Sequence, residues 1–163
     1  VSWETVWAQV LRRAASSSLP APIDSPSPAC ASPAYGQFDF WLGNWTVTVP
    51  SGGTAGSNRI HRISGCGVQE NWTDAQSGGG VSLNMWDPRS EKWGQFYVAS
   101  NGSAIELYGD GRPGEMVMDG NSGSVQERVT WSLLEDGRVR QHWQRSVNGG
   151  VFSTFFDGYY RRQ

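Results

Sequence analysis

Closely spaced turn signals constrain this chain more than any other feature. From residue 38 onward the sequence is broken by Ser51-Gly52-Gly53, Ser77-Gly78-Gly79-Gly80, Asp87-Pro88-Arg89-Ser90, Asn101-Gly102, Asp110-Gly111, Asn121-Ser122-Gly123, Asp136-Gly137 and Asn148-Gly149-Gly150. Asn-Gly and Asp-Gly supply the positive φ that tight hairpins require. The segments between them predict strands over 41–49, 56–64, 66–73, 80–87, 92–99, 103–109, 114–119, 125–134, 138–146 and 151–161. Ten strands of about eight residues, with nine connections of about four to five, need about 125 residues. Residues 38–163 supply 126. No length remains for a crossover helix, so the expected sheet is an antiparallel meander. Such a meander of twisted strands closes on itself and removes its own edges.

Composition narrows the function. The chain has 163 residues, enough for one ordinary domain. Its nine Trp, five Tyr and six Phe, with a net charge of only −2, belong to a folded chain and not a disordered one. Thirteen Lys+Arg against 15 Asp+Glu give no electrostatic footprint for nucleic acid. No stretch approaches the roughly 20 apolar residues of a transmembrane helix.

The first 37 residues differ in texture. Trp3, Val6, Trp7, Val10 and Leu11 recur at helical spacing, with Ser2 as N-cap, so 1–13 reads as a short amphipathic helix. Residues 14–37 read as a Pro/Ser-rich linker arm, with an extended, solvated backbone as the default. A helix this short is marginal alone. Residues 1–34 are therefore expected to dock on their own barrel, on a neighbouring subunit as a homo-oligomer, or on a larger protein complex. Residues 1–20 lack the order of a signal peptide, since Arg12-Arg13 follow the apolar part. The two cysteines, Cys30 and Cys66, are too few for a zinc site. They are expected to form a disulfide, which would stabilise by about 4 kcal/mol on the chain-entropy estimate. A disulfide implies the periplasm or the extracellular space.

Gly43-Asn44-Trp45 opens the first strand and Gly158-Tyr159-Tyr160-Arg161-Arg162 ends the last. This Gly-x-Trp resembles the lipocalin/calycin pattern, in which the Trp closes one end of the barrel and an Arg of the last strand packs across it. The resemblance implies that Gly43, Trp45 and Arg161, or the adjacent Arg162, form the closure by a cation–π contact. More closely, FDFWLGNW (38–45), GCGVQENW (65–72), WGQF (93–96), VRQHWQRS (139–146) and FDGYYRR (156–162) resemble a bacterial family of secreted lipocalin-like domains without a settled function. The expected fold is an all-β, up-and-down barrel over 38–163.

Calycin interiors place a few polar groups among aromatics. Strand alternation puts Val68, Glu70 and Trp72 on one face, Val139, Gln141 and Trp143 on another, and Gln95 with Tyr97. Arg128 shares a face with Gln126 and Thr130, opposite Val129, Trp131 and Leu133. The ligand-binding candidates are therefore Glu70, Trp72, Asn84, Gln95, Arg128, Gln141 and Trp143. His142 lies between Gln141 and Trp143 and faces away if they face inward, so no haem ligand, cofactor or metal set is read here. No nucleophile elbow occurs, which leaves a buried Glu70 as the remaining candidate base. The expected function is binding of a small hydrophobic or amphipathic molecule by a secreted or periplasmic barrel. The alternative is a structural protein assembled through its N-terminal arm.

Overall fold

A computed structural model describes residues 28–163. They form ten strands: β1 (Gly43–Thr48), β2 (Thr54–Ile63), β3 (Gly67–Asp74), β4 (Gly79–Asp87), β5 (Lys92–Ala99), β6 (Ala104–Arg112), β7 (Glu115–Ser122), β8 (Val125–Leu133), β9 (Val139–Val147) and β10 (Ser153–Arg162). Every strand pairs antiparallel with its sequence neighbour, and β1 also pairs with β10, so the sheet is a closed barrel. The predicted strands match these to within a few residues. The predicted helix over 1–13 lies outside the described residues.

The largest departure comes just before β1. The expected first strand, 41–49, begins at Gly43 instead, because Asp39–Trp41 is a 3-10 turn. That turn carries Phe38 and Trp41, both fully buried, into the base of the barrel. There Phe38 stacks on Trp41 at 4.7 Å and meets Trp131 and Trp93 edge-on at 5.2 and 5.7 Å. Each such ring removes roughly 150–250 Å² from water, so this cluster outweighs the loss of a little strand pairing. Gly43, at φ 146°, turns the chain from the plug into β1.

The part of the expected linker that is described, residues 28–37, is not extended either. It makes two further 3-10 turns, Pro28–Cys30 and Pro33–Gly36. Cys30 is disulfide-bonded to Cys66 in the β2–β3 turn. The Trp93 indole N–H donates to the Ala34 carbonyl at 3.2 Å and to Gln37 Oε1 at 3.1 Å. Arg62, only 2% exposed, pairs with Asp39. Proline alone favours an extended chain, but a covalent tie and a buried indole that needs acceptors override that preference.

Trp45 is fully buried and donates its indole N–H to the Trp41 carbonyl at 2.9 Å. The guanidinium over its ring, 4.4 Å from the centroid, belongs to Arg162 and not to Arg161. Trp45 is Arg162's register partner, whereas Arg161 pairs with Thr46 and, by alternation, points to the other face. A Cβ on Gly43 would stand 2.6 Å from Arg162 Nη1, so the glycine makes room for the lid. Arg162→Ala is expected to lower stability by about 1 kcal/mol and Arg161→Ala by less than about 0.5. Urea unfolding of both variants checks this, and equal effects would remove the lid from the account.

Candidate ligand-binding cavity

Above the aromatic plug the barrel holds a cavity of about 200 Å³. Alternation explains its wall. Strand β3 turns Glu70 and Trp72 inward, β5 Gln95 and Tyr97, β6 Ile105 and Leu107, and β8 Val129. Strand β9 adds Gln141 and Trp143, and β10 adds Phe155, Phe156 and Tyr160. An irregularity in the β9–β10 register between Thr154 and Phe156 lets two consecutive residues of β10 reach the cavity, where strict alternation would allow one.

A chain of hydrogen bonds crosses the inner wall. Gln95 Nε2 donates to Asn84 Oδ1 at 2.7 Å, and Asn84 Nδ2 donates to Ser82 Oγ at 2.9 Å. Ser82 Oγ donates to Glu70 Oε2 at 2.7 Å, while Asn58 Nδ2 donates to Glu70 Oε1 at 2.7 Å. On the far side Tyr160 donates its hydroxyl to Gln141 Oε1 and lies 3.5 Å from Asn58 Nδ2. The donors converge on Glu70. Asn58 serves the acid at a cost, since its buried Oδ1 has no partner among the described residues.

Glu70 is 6% exposed. Burial pushes its carboxyl above the ordinary 4.5, and the bonds from Ser82 and Asn58 offset this only in part. Among the described residues no guanidinium or ammonium is hydrogen-bonded to it. The same charge, with Asp74, adds to burial in pushing the Tyr97 phenol up to about 12, and Tyr160 is raised well above its ordinary value, mainly by burial.

Toward the mouth the polar chemistry is self-contained. Trp143 Nε1 donates to Glu127 Oε2 at 2.5 Å, and Arg145 Nε lies 2.8 Å from the same oxygen. The Arg145 guanidinium also covers the Phe155 ring at 3.4 Å. Charge there is balanced within the protein, and the rings of Trp72, Trp143, Phe155 and Phe156 add to those of Tyr97 and Tyr160 on the wall.

No family model matches the chain, and no match is found among curated proteins. The site is therefore read from its own residues.

Of the sequence candidates, Glu70, Trp72, Gln95, Gln141 and Trp143 meet at this cavity. Asn84 is buried but not on the wall; it links Ser82 to Gln95 from beneath. Arg128 is a correction. It lies outside, partly exposed, with its Nε 2.7 Å from Asp119, because Val129 and Glu127 on either side point inward. Glu70 and Arg128 thus do not pair. His142 also faces away, toward Thr154. Sequence reasoning missed Asn58, Ser82 and Tyr160. Asn58 sits one alternation step from Ile60, the register partner of Glu70, so pairing β2 with β3 would have found it.

Because Glu70 holds its proton more tightly in the fold than in the unfolded chain, its contribution favours the fold most at low pH. That contribution declines as pH rises from about 4.5 through the raised folded value. Glu70→Gln removes the decline. The variant should match the parent near pH 4 and gain on it as pH rises to about 8, in urea midpoints across that range. Parallel profiles would mean that the carboxyl is hydrated.

Proposed function

We propose that this is a secreted or periplasmic, lipocalin-like barrel that binds a small hydrophobic or amphipathic molecule. The observation behind this reading is the 200 Å³ cavity, with aromatic rings on one part of its wall and a polar chain on another. A cavity of roughly 150 Å³ lined by apolar side chains holds one benzene. The space here suits a single ring with a short arm. The Cys30–Cys66 disulfide supports an oxidising compartment. Among the described residues no helix is long and apolar enough to cross a membrane.

The test is saturable binding of a small apolar fluorophore, read also as quenching of the tryptophans. Ile105→Trp fills the cavity and should weaken binding by about tenfold or more, with the folded signal retained. Unchanged affinity would place the fluorophore elsewhere, and no saturable binding would end the proposal.

A second reading, assembly through the N-terminal arm, is favoured by one observation. The outer face of β4–β6 exposes Val81, Leu83, Met85, Phe96, Val98 and Tyr108, between 42% and 59% each. They are contiguous, since Val81 pairs with Val98 and Leu83 with Phe96, while Gly94 pairs with both Met85 and Tyr108. Such a face is normally covered. In this reading its occupant is the apolar stripe Trp3, Val6, Trp7, Val10 and Leu11 of a neighbouring copy. Residues 14–27 can span up to about 46 Å, more than the roughly 30 Å length of β4. The full chain should then self-associate with concentration in sedimentation, and a chain lacking residues 1–27 should stay monomeric. A full chain monomeric at every concentration ends this reading.

A further inference from the structure

The cavity wall is chemically lopsided. Glu70 is the only charged side chain on it among the described residues. Both its oxygens already accept hydrogen bonds, but only from the neutral Asn58 amide and Ser82 hydroxyl. Two basic groups of the interior are committed to other acids: Arg62 pairs with Asp39, and Arg145 Nε lies 2.8 and 2.9 Å from the Glu127 oxygens. A buried carboxylate without a cation is expensive.

Beside the Gln141 amide, which can donate, the wall offers two further oxygens able to accept. Gln95 gives its amide N–H to Asn84, which leaves its carbonyl oxygen without a partner among the described residues. The Tyr97 hydroxyl has no hydrogen bond there either. Tyr97 is the register partner of Ser82, itself the register partner of Glu70, so Tyr97 lies level with Glu70 one strand removed, across β4. Around them stand the rings of Trp72, Tyr97, Phe156 and Tyr160. Oxygen acceptors and aromatic faces both attract an ammonium, which has three donors and no acceptor.

Resting on the ligand-binding reading above, we infer that the cavity takes a small aryl-alkyl amine, its ammonium on Glu70 and its ring among the aromatic side chains. A carboxylate of the same shape is disfavoured, since it would bring a second negative charge against an acid that no cation among the described residues pairs with. The volume limits the ligand to about one ring and a two- or three-atom arm.

Three probes of nearly equal shape separate the possibilities: 2-phenylethylamine, 2-phenylethanol and phenylacetate, titrated into the full-length protein by calorimetry at pH 7. The amine should bind about tenfold or more tighter than the alcohol, with phenylacetate the weakest. Glu70→Gln should erase the amine's advantage while the alcohol's affinity changes by less than about threefold. If the alcohol or phenylacetate binds as well as the amine to the parent protein, the charge inference fails and the ligand-binding reading stands. The same holds if Glu70→Gln leaves the amine's advantage intact. If none of the three binds, and the apolar fluorophore also fails, both readings fall together.

Discussion

Closing ten strands into one ring sends alternate side chains of every strand into a single enclosed space. That constraint organises the rest of the molecule. The interior cannot be solvated like the outside of a sheet, so each inward residue must pack, pair or line a void. At the base, packing wins. Phe38, Trp41, Trp45, Trp93 and Trp131 fill the cross-section. A Cβ on Gly111 would stand 2.8 Å from the Gln37 side chain, so the segment beneath the barrel and the bare wall of β6 fit each other.

Higher up, packing gives way to pairing. Asn58, Glu70, Ser82, Asn84 and Gln95 lie on neighbouring strands, and their hydrogen bonds run across the strands inside the barrel. Such a network is worth having only when nearly complete, because each buried group left unpaired costs about 1–3 kcal/mol. It also fixes where the interior stops being solid. Side chains held by one another cannot collapse into the space above them, so a cavity persists between the polar chain and the aromatic rings of β9 and β10.

Most of this architecture was legible in the sequence because its signals are local. Glycine-bearing turns and strand alternation depend on a few neighbouring residues, and they placed the strands of 43–162 to within a few residues and turned Glu70, Trp72, Gln95, Gln141 and Trp143 to one side. What was not legible depends on register. Choosing Arg162 over Arg161 requires knowing that Trp45 pairs with residue 162. Placing Arg128 outside follows from its own alternation with Val129 and Trp131, which outranks the expectation that a charge in a strand serves the interior. The plug at 38–41 was invisible as a turn because Phe38, Phe40 and Trp41 read equally well as strand residues. Only the demand for rings at the barrel base decides between the two.

The acid at position 70 remains the most informative residue, because hydrogen bonding alone does not account for it. A glutamine there could accept from Asn58 and turn its amide toward Ser82, whose hydroxyl rotates to accept as readily as to donate. That arrangement would satisfy the same partners without burying a charge. What a carboxylate adds is attraction for a cation, at a place where the described residues pair none with it and where, among them, Gln95 and Tyr97 leave oxygen atoms without partners. Stability by itself favours the neutral residue increasingly as pH rises above the carboxyl's ordinary range. On the proposed ligand-binding reading, the charge acts against the empty barrel and in favour of a positively charged occupant.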